Sequence, residues 1–127
     1  MMTSDTIKFT INFSDPGLDD EERDEEVENL LYQLQDLDEV EANRVVDPHP
    51  PAGNKSLGAL LIGILTAEVN AANCKKVLGF LGDRLGGKPI ELEVEANGRK
   101  LKVTAHSREE LEAAMKAARD FVEVEQS

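Results

Sequence analysis

Ile7, Phe9, Ile11 and Phe13 alternate with Lys8, Thr10 and Asn12, a period of two that puts one set of side chains on a buried face and the other in solvent. The chain is therefore predicted to open with a strand. Asp15-Pro16-Gly17 breaks it, and from about Leu18 to Leu37 the residues Val27, Leu30, Leu31, Leu34 and Leu37 recur at the spacing of an amphipathic helix. Val40 to Val46 reads as a second, shorter strand, closed by Asp47-Pro48-His49-Pro50-Pro51-Ala52-Gly53. The three prolines there lack amide donors and cannot continue a sheet.

The pattern next predicts the longest helical segment, from about Ser56 to Leu85, with Leu57, Leu61, Ile64, Ala71, Cys74, Leu78, Leu81 and Leu85 along one face. The stripe blurs near Asn70 to Asn73, so the segment reads either as one helix or as two broken at that point. Gly58, Gly63, Gly79 and Gly82 interrupt it, each at a cost of about 1 kcal/mol relative to alanine. Close packing against another backbone is the expected reason for them.

Gly86-Gly87 ends this segment, and Asn97-Gly98 sits between two alternating runs, the strongest short-range signal for a tight hairpin. A two-residue turn fixes the register. It sets Val94 against Leu101, Leu92 against Val103 and Ile90 against Ala105 on one face, with Glu95 against Lys100 and Glu93 against Lys102 on the other. Ser107-Arg108-Glu109-Glu110 then fits a capping box. The helix it starts carries Leu111, Ala114, Met115, Ala118 and Phe121 as its buried stripe and leaves a polar tail, Glu123 to Ser127, expected to fray together with residues 1–5.

The predicted order is strand, helix, strand, helix, strand, strand, helix. It implies one α/β (α+β) domain spanning residues 1–127, a four-stranded mixed sheet with three helices mainly on one face. A chain of 127 residues is long enough to bury such a core without disulfides or metals. With no tryptophan, four phenylalanines and one tyrosine, that core must be aliphatic.

Charge narrows the function. Fourteen Lys and Arg stand against 26 Asp and Glu, a net charge of −12 that repels a phosphate backbone and an anionic membrane surface alike. Nucleic-acid binding is thereby disfavoured and membrane association is not expected; the charge can steer the domain toward a basic partner, but a solvated acidic face is the reading it favours. The densest acidic run, Asp19 to Glu28 with Arg23 as its one opposing charge, lies at the start of a predicted helix, where acids interact favourably with the dipole. The same run offers a docking surface, although it lacks the spaced oxygen ligands of a Ca²⁺ loop. The longest apolar stretch, Leu57 to Leu65, has nine residues, against the roughly 20 needed to span a bilayer. Cys74 is the single cysteine and Met1 to Thr6 has no signal-peptide character, so a cytoplasmic location is expected.

No catalytic set, cofactor or metal is predicted. Gly53-Asn54-Lys55-Ser56 before a helix resembles the end of a phosphate-binding loop, but Asn54 replaces the glycine that should precede the lysine, and Pro50 stands where another glycine belongs. Gly53, Lys55 and Ser56 remain the candidate anion-binding rim of an alternative reading, a small-ligand sensor. His49 and His106 have no second histidine or cysteine at ligand spacing. Cys74 falls on an apolar stripe and reads as core rather than as a nucleophile.

Several of these elements together resemble the effector-associated constant component family, small domains of bacterial conflict systems. They are the leading strand with the acidic helix ending in Leu30-Leu31-Tyr32-Gln33-Leu34, the approach from Pro50-Pro51-Ala52-Gly53 through Asn54-Lys55-Ser56-Leu57-Gly58-Ala59, the long segment rich in small residues, and the Asn97-Gly98 hairpin followed by Ser107 to Leu111. The resemblance implies a non-enzymatic adaptor or assembly component that recruits or regulates an effector such as a peptidase or a signalling NTPase. The expected interface is the apolar face of the long segment, Leu57, Leu60, Leu61, Ile64, Leu65, Leu78 and Leu81, turned toward the effector or a second copy, because so much apolar surface exceeds what one sheet face needs.

Overall fold

The computed structural model describes residues 6–37, 40–46 and 60–126, and the side chains of all of these except 60 and 124–126. Its elements in chain order are β1 (Thr6–Phe13), α1 (Asp20–Gln35), β2 (Val40–Val46), β3 (Leu60–Asn70), a single 3-10 turn (Ala71–Asn73), α2 (Cys74–Arg84), β4 (Ile90–Ala96), β5 (Arg99–Ala105) and α3 (Arg108–Gln126). The five strands form one sheet in the order β2-β3-β1-β4-β5, and every neighbouring pair is antiparallel.

This corrects the expected sheet in two respects: it has five strands rather than four, and its pairings are antiparallel rather than mixed. Both changes come from one segment. Residues 60–70 are a strand, not the first half of a helix, and only Cys74–Arg84 is α-helical. The expected discontinuity near Asn70 to Asn73 is real, but it joins a strand to a helix: the Asn70 side chain accepts a hydrogen bond from the Asn73 amide (3.0 Å) and starts the turn. From Leu65 onward the strand shows its period of two, Leu65, Ala67 and Val69 being buried while Glu68 and Asn70 are exposed. The run Leu60-Leu61-Ile62-Gly63-Ile64 ahead of it has no polar position to mark that alternation, and a short apolar run fits a helix stripe and a buried strand equally well.

β1 lies at the centre of the sheet because its alternation is complete. Ile7, Phe9, Ile11 and Phe13 are at most 2% exposed, and in register Phe9 stands beside Ala67 of β3 and Val94 of β4. The face they share is covered by Val27, Leu30, Leu31 and Leu34 of α1, by Cys74, Val77, Leu78 and Leu81 of α2, and by Leu111, Met115, Ala118 and Val122 of α3. Each large side chain so buried contributes about 1.5–3 kcal/mol. Val122, rather than Phe121, completes the α3 stripe, and Phe121 packs partly buried against its edge. α3 is helical from Arg108 through Gln126.

The hairpin forms in the expected register, Val94 opposite Leu101 and Glu95 opposite Lys100, around a turn in which Asn97 and Gly98 both take positive φ (53° and 78°). At the start of α3, Ser107 Oγ accepts from the Glu110 amide (3.1 Å), while the Glu110 carboxylate accepts from the amide of His106 (2.7 Å). The start of α1 carries a full capping box, Asp19 with Glu22.

Candidate functional site

One exposed groove of the domain is built on α1. Its apolar stripe faces the sheet, so the residues between the stripe positions fall on the solvent side, and there the sequence supplies Asp20, Asp24, Glu28 and Tyr32 at successive intervals of four, with Glu21 and Glu25 alongside. These six side chains with Asn29, and Ile62 from β3, line a groove of about 470 Å³.

Ile62 reaches this groove because β3 is irregular at that point. The pairing of β2 with β3 shifts from Arg44 opposite Leu65 to Val46 opposite Leu60, so β3 advances five residues where β2 advances two. Gly63 lies within this bulge with φ +79°, a conformation that glycine adopts at little cost. A bulge of this kind bends the strand and re-aims its side chains. Ile62 is left 42% exposed in the groove, while Leu65, Ala67 and Val69 resume the core-facing alternation.

Two arginines pin the bulge to α1. Arg23 Nε donates to the Phe13 carbonyl (2.9 Å), and its guanidinium lies across Gly63 so closely that a Cβ there would stand 2.7 Å from Nη2. Arg44, whose side chain is only 10% exposed, extends from β2 to donate to Glu28 (2.9 Å), to the Asp24 carboxylate and to the Leu61 carbonyl (3.3 Å). Charge-assisted contacts of this kind are the stronger hydrogen bonds of proteins, and here they hold Asp24 and Glu28 in place as the floor of the groove. Arg23 also pairs with Asp20 at 3.5 Å. Glu21 and Glu25 make no ion pair among the described residues.

Among the described residues the exposed large hydrophobic side chains are Tyr32 (65%), Val46 (56%) and Ile62. Tyr32 and Ile62 line the groove, and Val46 ends β2 opposite Leu60, where the β2–β3 pair leaves the bulge. Among the described residues, the exposed large apolar side chains thus lie in the groove or at the end of the strand paired beside it.

The interface expected from sequence is not assembled as such. Leu65, Leu78 and Leu81 are at most 1% exposed and belong to the core; Leu61 and Ile64 are half-buried in β3. Leu60 lies in β3, and Leu57 lies outside the described residues, as do Gly53, Lys55 and Ser56 of the anion-binding alternative and His49. Among the described residues, much of the apparent surplus of apolar residues is taken up by an interior strand, β3, and by α2. Cys74 is core, and burial pushes its thiol from 9.0 up to about 11, which keeps it protonated and unreactive at neutral pH. His106 is an exposed side chain beside Glu110 (3.4 Å). Among the described residues no group of three His, Cys, Asp or Glu side chains is placed to hold a metal ion, and no helix is long and apolar enough to cross a membrane. Tyr32 and Ile62 carried no site signal in the sequence beyond Tyr32 falling off the α1 stripe.

No family model matches the chain, and no curated protein or solved structure is significantly similar to it.

Proposed function

We propose that this domain is a non-enzymatic adaptor that docks a partner protein in the groove between α1 and the β3 bulge. The observation that carries the reading is the exposure of Tyr32 and Ile62 in the groove, and of Val46 at the end of the strand paired beside it, in a domain whose other large apolar side chains, among the described residues, are wholly or partly covered. Aromatic and aliphatic side chains set among polar ones are the usual core of a protein–protein contact. The groove is fixed in advance by Arg44 and Arg23, so little ordering cost remains at binding. In keeping with the resemblance to effector-associated components, the partner is an effector, a peptidase or NTPase of a bacterial conflict or signalling system, and the domain acts in the cytoplasm.

Co-expression with the products of the neighbouring genes, followed by size-exclusion chromatography with light scattering, tests this. The wild-type chain is expected to co-elute with one of them, and a Tyr32→Ala/Ile62→Ser double variant that keeps its circular dichroism spectrum is expected to elute alone. Co-elution unchanged in the variant, or no complex with any neighbour, would remove the groove from the account.

A further inference from the structure

The groove has a chemical bias as well as a shape. Five carboxylates line it, from Asp20, Glu21, Asp24, Glu25 and Glu28. Arg44 and Arg23 engage three of them, and Glu21 and Glu25, one turn apart, remain unpaired among the described residues. Unneutralised carboxylates beside exposed apolar side chains are complementary to a cationic segment that also carries an apolar anchor. A second copy of this chain is a poor occupant: an isologous contact would bring Glu21 and Glu25 against their own kind on a molecule of net charge −12.

Resting on the docking function above, we propose that the occupant is an arginine-bearing segment of the partner protein with an aliphatic or aromatic anchor. The anchor sits against Ile62, and arginines face Glu21 and Glu25. Arginine fits better than lysine because its planar guanidinium pairs with a carboxylate through two parallel bonds and stacks on an aromatic face, and Tyr32 offers such a face at the end of the acidic row. From Asp20 to Tyr32 the helix rises about 18 Å, the length of about five or six residues of extended chain, so a short linear segment is enough to fill it.

A random peptide library displayed on phage, panned against the full chain, supplies the probe without knowledge of the natural partner. Peptides enriched on the wild type are resynthesised and titrated against three variants: Glu21→Gln/Glu25→Gln in the groove, Ile62→Ser, and Glu109→Gln/Glu112→Gln on exposed α3 as a charge-matched control. The expected result is enrichment of arginine together with Leu, Ile or an aromatic residue, with affinity falling about tenfold or more in the Glu21/Glu25 variant and in Ile62→Ser and less than about twofold in the α3 control. Equal losses in the two charge variants would mean attraction to bulk charge and would overturn the inference. Enriched peptides that lack basic residues yet still depend on Ile62 would also overturn it while leaving the docking function intact. Absence of any groove-dependent peptide would remove both.

Discussion

Gly63 and Gly79 both fall inside the segment that reads as helical, and the structure gives them opposite meanings. At Gly63 the backbone holds φ +79° and the space a Cβ would need is filled by Arg23. A Gly63→Ala variant is expected to lose about 1–3 kcal/mol from strain and displacement of the guanidinium. At Gly79, in α2, nothing lies within 4 Å of an added Cβ. There the substitution to alanine is expected to stabilise the fold by about 0.5–1 kcal/mol. Denaturant titration of the two variants beside the wild type checks both signs; equal effects would mean that the bulge is not what requires Gly63. Cys74 makes a separate prediction. Its folded-state value is raised by burial from 9.0 to about 11, so as pH rises the unfolded chain gives up this proton first. The contribution of the thiol is fully present below pH 9 and is lost as pH climbs through 11, by about 2–3 kcal/mol in total. Stability measured against pH for wild type and Cys74→Ala should therefore converge over that interval, in the direction of wild type losing more.

At the scale of elements, legibility followed the range over which each signal acts. The Asn97-Gly98 hairpin was readable to the residue because a two-residue turn sets the register by itself, and the core stripes of α1 and α3, apart from Phe121 where Val122 is the buried residue, were readable because helical periodicity needs only local sequence. β3 was not readable. Its first residues are apolar without alternation, it pairs with β1 more than fifty residues away in sequence, and its bulge depends on two arginines contributed by α1 and β2. The same non-local origin hid the groove: the acidic run was visible, but Ile62 joins it only through the bulge, and nothing in the local sequence around Ile62 marks a meeting with α1. Arg44 is the element-scale joint between α1 and β2. Replacing it with methionine keeps much of the side-chain volume but leaves Asp24, Glu28 and the Leu61 carbonyl without their donor, and is expected to cost about 2–4 kcal/mol. Hydrogen exchange should speed first in β2 and around the bulge. Uniform acceleration across the sheet would argue instead for a purely global loss.

For the whole molecule the question is what a domain of net charge −12 does with its exposed apolar side chains. Had the long apolar segment been a surface helix, self-association through Leu65, Leu78 and Leu81 would have been its natural consequence, but those side chains are spent on the monomer's own core. Among the described residues what remains outside is small, and in the groove it is flanked by carboxylates that would oppose one another across a symmetric contact made there. The purified chain is therefore expected to show the mass of one chain in light scattering over a tenfold concentration range at low salt. The acidic repulsion that keeps copies apart also strains the folded state, most of all along α1. Added salt, which shortens the Debye length to about 8 Å near 0.15 M, should accordingly raise the melting temperature of the free domain while weakening its hold on a cationic partner. Opposite responses of stability and binding to the same salt titration are what the charge distribution requires. If both rose together, apolar contact rather than the acidic row would dominate recognition; if the mass doubled at low salt, the carboxylates would not be the barrier to self-association that their positions imply.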